Sequence, residues 1–114
     1  MASYMLVEIW RPRPEWYALP KAQKEKFLAK AQEVIGVVMA KGAKITGLSR
    51  CRAASEGGWD MVGFWEMPNY EVIAELAERI EKVGWNRYFE QINMVGTNTS
   101  PEAYFKSLLE ETEV

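Results

Sequence analysis

Glu8 is the acidic side chain best placed to do chemistry. It lies in a stretch, Tyr4 to Trp10, whose residues alternate: Met5, Val7 and Ile9 share one parity, and Tyr4, Leu6, Glu8 and Trp10 share the other. Successive side chains of a strand face opposite ways, so Glu8 stands between Leu6 and Trp10 on one face. A carboxyl held there is partly desolvated, which raises its pKa and suits a general acid or base. Gln91 and Asn93 alternate in the same way near the end of the chain, with Ile92 and Met94 on the opposite parity. If Ile92 and Met94 face the helices, Gln91 and Asn93 reach the cavity of Glu8 and can hold a carbonyl or an oxyanion. Trp10 and Trp65 supply flat walls for a planar ligand, with Met61 and Met67 beside them. Arg50 is a further candidate contact. The structural alternative is ordinary: Glu8 pairs with Arg50 or Arg52, and the tryptophans are core.

Composition removes several kinds of chemistry. The chain of 114 residues has no His and one Cys. It therefore cannot form His-ligated metal sites, bind haem through a proximal His, or assemble Ser-His-Asp or Cys-His machinery. No acidic cluster has the spacing of a Mg²⁺ or Ca²⁺ loop, so neither a metal nor another cofactor is expected. Cys51 lacks an evident base and reads as an inert thiol. Arg11 and Arg13 could meet a substrate carboxylate, although arginines at strand ends are more often paired with neighbouring acids. A net charge of −2 with interleaved signs argues against a nucleic-acid surface. No apolar run reaches membrane-spanning length, and the start lacks a basic, apolar signal pattern, which leaves the cytoplasm as the expected location.

A single domain over 1–114 must position these residues. Pro12 and Pro14 end the first strand. The connection through Pro20 carries Trp16 and Tyr17, either as a lid or as aromatics that pack the loop down. Phe27, Ala31, Val34, Ile35 and Val38 recur at helical spacing, closed by Gly42. Ala43 to Arg52 reads as a second strand, and Ala53 to Gly58 turns the chain into a third at Met61–Met67. Asn69 caps a helix with an apolar stripe of Val72, Ile73, Leu76, Ala77, Ile80 and Val83, ended by Gly84. Trp85 to Phe89 is ambiguous between a turn and an early strand, and Glu90 to Thr97 reads as the last strand. Ser100-Pro101-Glu102 starts a terminal helix.

This order is a ferredoxin-like βαββαβ α+β fold with an extra C-terminal helix. Its first and third strands lie together in the centre. Met5, Val7, Ile9, Val62 and Phe64 are expected beneath the helices. The opposite face, with Leu6, Glu8, Trp10, Met61, Gly63, Trp65 and Met67, is then left open, and a second copy is expected to cover it as a homodimer.

The early Val-Glu-Ile-Trp and the later Phe-Trp-Glu-Met-Pro, in this topology, resemble the dimeric α+β barrel superfamily. That group includes antibiotic-biosynthesis-type monooxygenases and muconolactone-isomerase-like proteins. Trp-Arg-Pro-Arg-Pro, Trp-Glu-Met-Pro and Tyr-Phe-Glu-Gln-Ile-Asn are similar to an uncharacterised bacterial family of such barrels. The resemblance implies a dimeric barrel that binds a hydrophobic or aromatic small molecule, as a cofactor-independent monooxygenase or isomerase with Glu8 as the acid–base group. The alternative is a non-catalytic binding or accessory module with a packed interior. Haem-degrading and chlorite-dismutase-like relatives use a His iron ligand, which this chain lacks.

Overall fold

The computed structural model describes residues 3–51 and 56–111. Arg52, the loop residues 53–55, both chain ends and the tail beyond Glu111 lie outside the described residues. Four strands, β1 (Tyr4–Pro12), β2 (Lys44–Arg50), β3 (Met61–Met67) and β4 (Phe89–Thr97), form one sheet in the order β2-β3-β1-β4. Each neighbouring pair is antiparallel, with β1 central beside β3 as expected. Two long helices, α2 (Lys21–Ala40) and α3 (Tyr70–Lys82), cover one face. Short helical turns α1 (Pro14–Tyr17) and α4 (Trp85–Tyr88) flank them, and α5 (Pro101–Glu110) follows β4. This is the ferredoxin-like α+β fold with its additional C-terminal helix.

Local chemistry sets the element boundaries. The Asn69 side chain accepts from Val72 N–H and Ser100 Oγ from Ala103 N–H, satisfying orphan amides at the starts of α3 and α5. Gly84 takes a left-handed φ of 95° between α3 and α4, a conformation costly for a side-chain-bearing residue. The ambiguous segment from Trp85 is both things in turn, a single helical turn and then a strand from Phe89. In the Pro-rich connection Trp16 packs on Phe27 and Phe89, while Tyr17 is exposed, so one aromatic rather than two ties the loop down.

The helices take the face opposite to the one expected. Leu6, Trp65 and Met67 are buried with Val34, Val38, Val72 and Leu76 in the sheet–helix core. Met5, Ile92 and Met94 lie on the uncovered side, 41%, 48% and 59% exposed, beside Val7, Ile9, Val62 and Phe64. Both faces of β1 and β3 are apolar, so parity alone does not choose between them. Size does: Trp65, Met67 and Leu6 bury more area than Val7 or Val62, and cover supplied by the same chain costs no association entropy. Among the described residues no helix is long and apolar enough to cross a membrane.

Candidate functional site

The register of β1 brings the polar residues together. Glu8 stands directly opposite Asn93 on β4 and Gly63 on β3, with Gln91 and Trp65 as diagonal neighbours on the same face. From these positions two donors converge on one carboxylate. Trp65 Nε1–H donates to Glu8 Oε1 at 2.6 Å, and Gln91 Nε2–H donates to Oε2 at 2.7 Å. The second Nε2–H of Gln91 goes to Asn93 Oδ1 at 2.8 Å. Gln91 Oε1 in turn accepts from Trp85 Nε1–H at 2.7 Å. These bonds leave the Gln91 amide one orientation, because turning it over would set donor against donor at Trp85 and acceptor against acceptor at Glu8 and Asn93.

No cation lies within salt-bridge distance of Glu8 among the described residues. Arg50 is exposed at the far end of β2, opposite Met61, and Arg52 lies outside the described residues. Burial raises the Glu8 pKa above the ordinary carboxylate value, and the bonds from Trp65 and Gln91 only partly oppose it. The carboxyl is a stronger base than a surface glutamate.

Glu8 and Gln91 stand between two spaces under the helices. One, about 150 Å³, is walled by Trp10, Trp65, Trp85, Ile35, Leu48 and Ile80 among others, and is almost wholly apolar. The other, about 280 Å³, meets Asn93, Asn86, Glu81 and Ala77 and is more polar. Gly63 makes room for the first, since a Cβ there would come within 3.2 Å of Cζ3 of Trp10. Trp85 is held by Phe89, stacked at 4.1 Å, and by the edge of Trp10 at 6.1 Å.

Of the residues singled out in the sequence, Glu8, Trp10, Trp65, Gln91 and Asn93 come together. Met67 is fully buried in the core, and Met61 and Arg50 sit at a strand end away from both spaces, so these three do not join the site. Gln91 is also not free to hold an oxyanion, because its donors are already bonded. The cavity lies beneath the chain's own helices rather than on the open face. Arg11 pairs with Glu90 at 2.7 Å, donates to the Gly57 carbonyl and lies over Trp59, and Arg13 donates to the Asn86 carbonyl. Both arginines hold the chain together at this end of the sheet.

Sequence reasoning missed Trp85 and the helical wall of Ala31, Ile35, Leu76 and Ile80. The stripes of α2 and α3 identified the last four as inward-facing, but not as cavity lining. It also missed a bulge at Thr46. The pairing shifts between Ile45 and Gly47, which puts Ile45 and Leu48 on one face despite their opposite parity.

The sheet order, the two covering helices and the one-sided cavity define a ferredoxin-like α+β protein. Residues 3–111 match a family of unknown function, DUF6616, and the chain belongs to that family. No curated protein matches. Among solved structures, a mutant chlorite dismutase from Candidatus Nitrospira defluvii is similar with a TM-score of 0.76 and 16% identity, over 93% of this chain and 44% of that one. A putative chlorite dismutase gives a TM-score of 0.66 and 12% identity, over 95% of this chain and 48% of that one. The chain spans less than half of the length of either structure, and identities this low carry the fold alone.

Proposed function

We propose that the protein binds a neutral, apolar small molecule under its helices, with Glu8 as the base that takes a proton from it. The observation that carries this reading is a desolvated carboxylate, without a cation among the described residues, on the wall of an apolar cavity. An acid kept there for packing would leave no space beside it, and a structural ion pair would have its partner. The Trp65 and Gln91 donors fix the carboxylate and leave part of its acceptor capacity unused. The proton moves from a substrate carbon or hydroxyl to a Glu8 oxygen, and the electron pair stays on the substrate as an enolate or phenolate. Return of the proton to a different atom is an isomerisation. Addition of O₂ to the carbon of the same anion gives a peroxide that takes the proton back and loses water as its O–O bond breaks, leaving one oxygen on the substrate as a carbonyl. This is the monooxygenase alternative, and both need the same first step. The polar cavity with Asn93, Asn86 and Glu81 gives Glu8 a route for proton exchange with water.

Haem does not suit these residues. The chain has no His, and the two spaces lined by Glu8 and Gln91 are only about 150 and 280 Å³.

The second part of the reading is a homodimer formed through the open face of Met5, Val7, Ile9, Val62, Phe64, Ile92 and Met94. An antiparallel sheet tolerates one solvated face when that face is polar, and this one is apolar across three strands. A second copy set against it closes a barrel, with the Glu8 site outside that barrel and built from one chain. Light scattering at micromolar concentration should give twice the chain mass, and a monomer mass removes this part.

The base role is tested by deuterium wash-in from D₂O into the methyl group of acetophenone, a one-ring ketone without charge. The wild-type protein should catalyse the exchange and Glu8→Gln should not. Equal rates for the two, in folded protein, would refute it.

A further inference from the structure

We infer that the cavity beside Glu8 takes a neutral molecule of a single ring that brings its own O–H donor: a phenol, or the enol of a cyclic ketone. The inference deepens the reading of Glu8 as a ligand-facing group and rests on it. Three observations carry it.

The first is size. A cavity of about 150 Å³ is of the volume that admits a benzene ring in a protein interior, and is well below the roughly 300 Å³ where drug-sized pockets begin. Its walls are rich in aromatic surface, with the indoles of Trp10, Trp65 and Trp85 among the lining side chains.

The second is hydrogen-bond accounting. Trp65 Nε1–H, Trp85 Nε1–H and both Nε2–H groups of Gln91 are already spent within the network. The Gln91 carbonyl has accepted from Trp85. What Glu8 and Gln91 still offer a ligand is acceptor capacity, chiefly the remaining lone pairs of the carboxylate. A ligand with only acceptors would leave that carboxylate capacity unmet and bind more weakly for it. A ligand with an O–H completes the set.

The third is charge. Among the described residues Glu8 is the one charged group lining this cavity, and Glu81 on α3 is the other charged group lining the adjoining space. Both are acidic. No cation lines either space among the described residues, so a ring bearing a carboxylate would meet like charge without compensation. The elements packed against Glu8 otherwise present Trp65 and Gly63 from β3, Gln91 and Asn93 from β4, and Trp85 and Asn86 from α4, none of which titrates in the ordinary range.

The test is a titration of the protein with phenol, toluene and benzoate, followed through the indole N–H signals of Trp65 and Trp85 in ¹⁵N-correlated NMR spectra near neutral pH. Phenol should shift both signals saturably, toluene should shift them with an affinity about tenfold or more weaker, and benzoate should leave them in place. Phenol affinity should fall as pH drops and Glu8 takes up its proton. In Glu8→Gln phenol should lose its advantage over toluene, and retained toluene binding shows that this variant is folded. Phenol binding no tighter than toluene, or benzoate binding as well as phenol, overturns the inference. If that happens while acetophenone exchange still depends on Glu8, the ligand class is wrong and the base role stands. If exchange is absent as well, both fall.

Discussion

Replacing Glu8 by Gln should change the pH dependence of stability in the sense opposite to that of the ion-paired carboxyls Glu75, Glu78 and Glu90. Burial raises the Glu8 pKa above its ordinary value of 4.5. Between that value and the raised one, the native state holds a proton that the unfolded state has released. Wild-type stability therefore falls as pH rises through this window, by at most about 1.4 kcal/mol per pH unit for one proton. Below the window both states are protonated, and above it both are ionised, so the slope vanishes at either end. Glu75, Glu78 and Glu90 act in the opposite sense. Bonds from Lys41 and Arg79, from Lys82, and from Arg11 hold their carboxyls below the ordinary value, so their contributions are lost only as pH falls below about 4.5. The two windows do not overlap.

The variant also carries a cost independent of pH. An amide at position 8 can accept from Trp65, but its nitrogen then faces the Gln91 nitrogen. Gln91 cannot turn over without opposing Trp85, so one half-buried donor loses its protein partner, at about 1 kcal/mol. At about pH 4 the variant should be the less stable protein by that amount, and the gap should narrow as pH rises. Urea unfolding at intervals from about pH 4 to 8, compared between the two proteins, reads the difference directly. Parallel pH profiles would show that Glu8 ionises as freely in the native state as in the unfolded one, and the base assigned to this site would be lost.

Trp85→Phe keeps an aromatic ring on Phe89 and deletes the donor that orients Gln91. It should cost about 1–3 kcal/mol in urea unfolding and shift the Trp65 indole N–H signal, although the Trp85 N–H is bonded to Gln91 rather than to Glu8. Gly63→Ala pushes on Trp10 at 3.2 Å, so it should weaken phenol binding at least as much as it lowers stability, and unchanged affinity would place the ring elsewhere. Met94→Lys puts a charge at the centre of the open face and should halve the mass seen by light scattering without abolishing phenol binding. A variant that still dimerises would move the interface off this face.

Much of the fold was legible because its signals are local. Asn69 and Ser100 announce helix starts by the bonds their side chains make within one turn, and Gly84 announces an end by the φ it can adopt. The grouping of Glu8 with Trp10, Trp65, Gln91 and Asn93 was legible for a related reason, since alternation within strands needs only a register to become a shared face. What failed was non-local. No residue of β1 states which of its two apolar faces the helices will choose. The bulge at Thr46 breaks the parity of β2 through its pairing with β3, so Ile45 and Leu48 could not be placed together from their own spacing. Trp85 joins the site only because α4 packs on β4 and brings its ring to Trp10 and Gln91, and nothing in Trp85-Asn86-Arg87-Tyr88 alone names Gln91 as its partner.

The central strand has no idle side. Leu6, Glu8 and Trp10 serve the sheet–helix layer while Met5, Val7 and Ile9 form the opposite surface. A single residue inserted before Leu6 would exchange the two sets at a stroke, carrying the carboxylate out to the bare surface and valine into the space between the indoles. Length within Tyr4–Trp10 is therefore held more tightly than residue identity. Conservative replacements there should be absorbed one at a time, whereas a one-residue insertion or deletion removes the core, the site and the outer surface in one event.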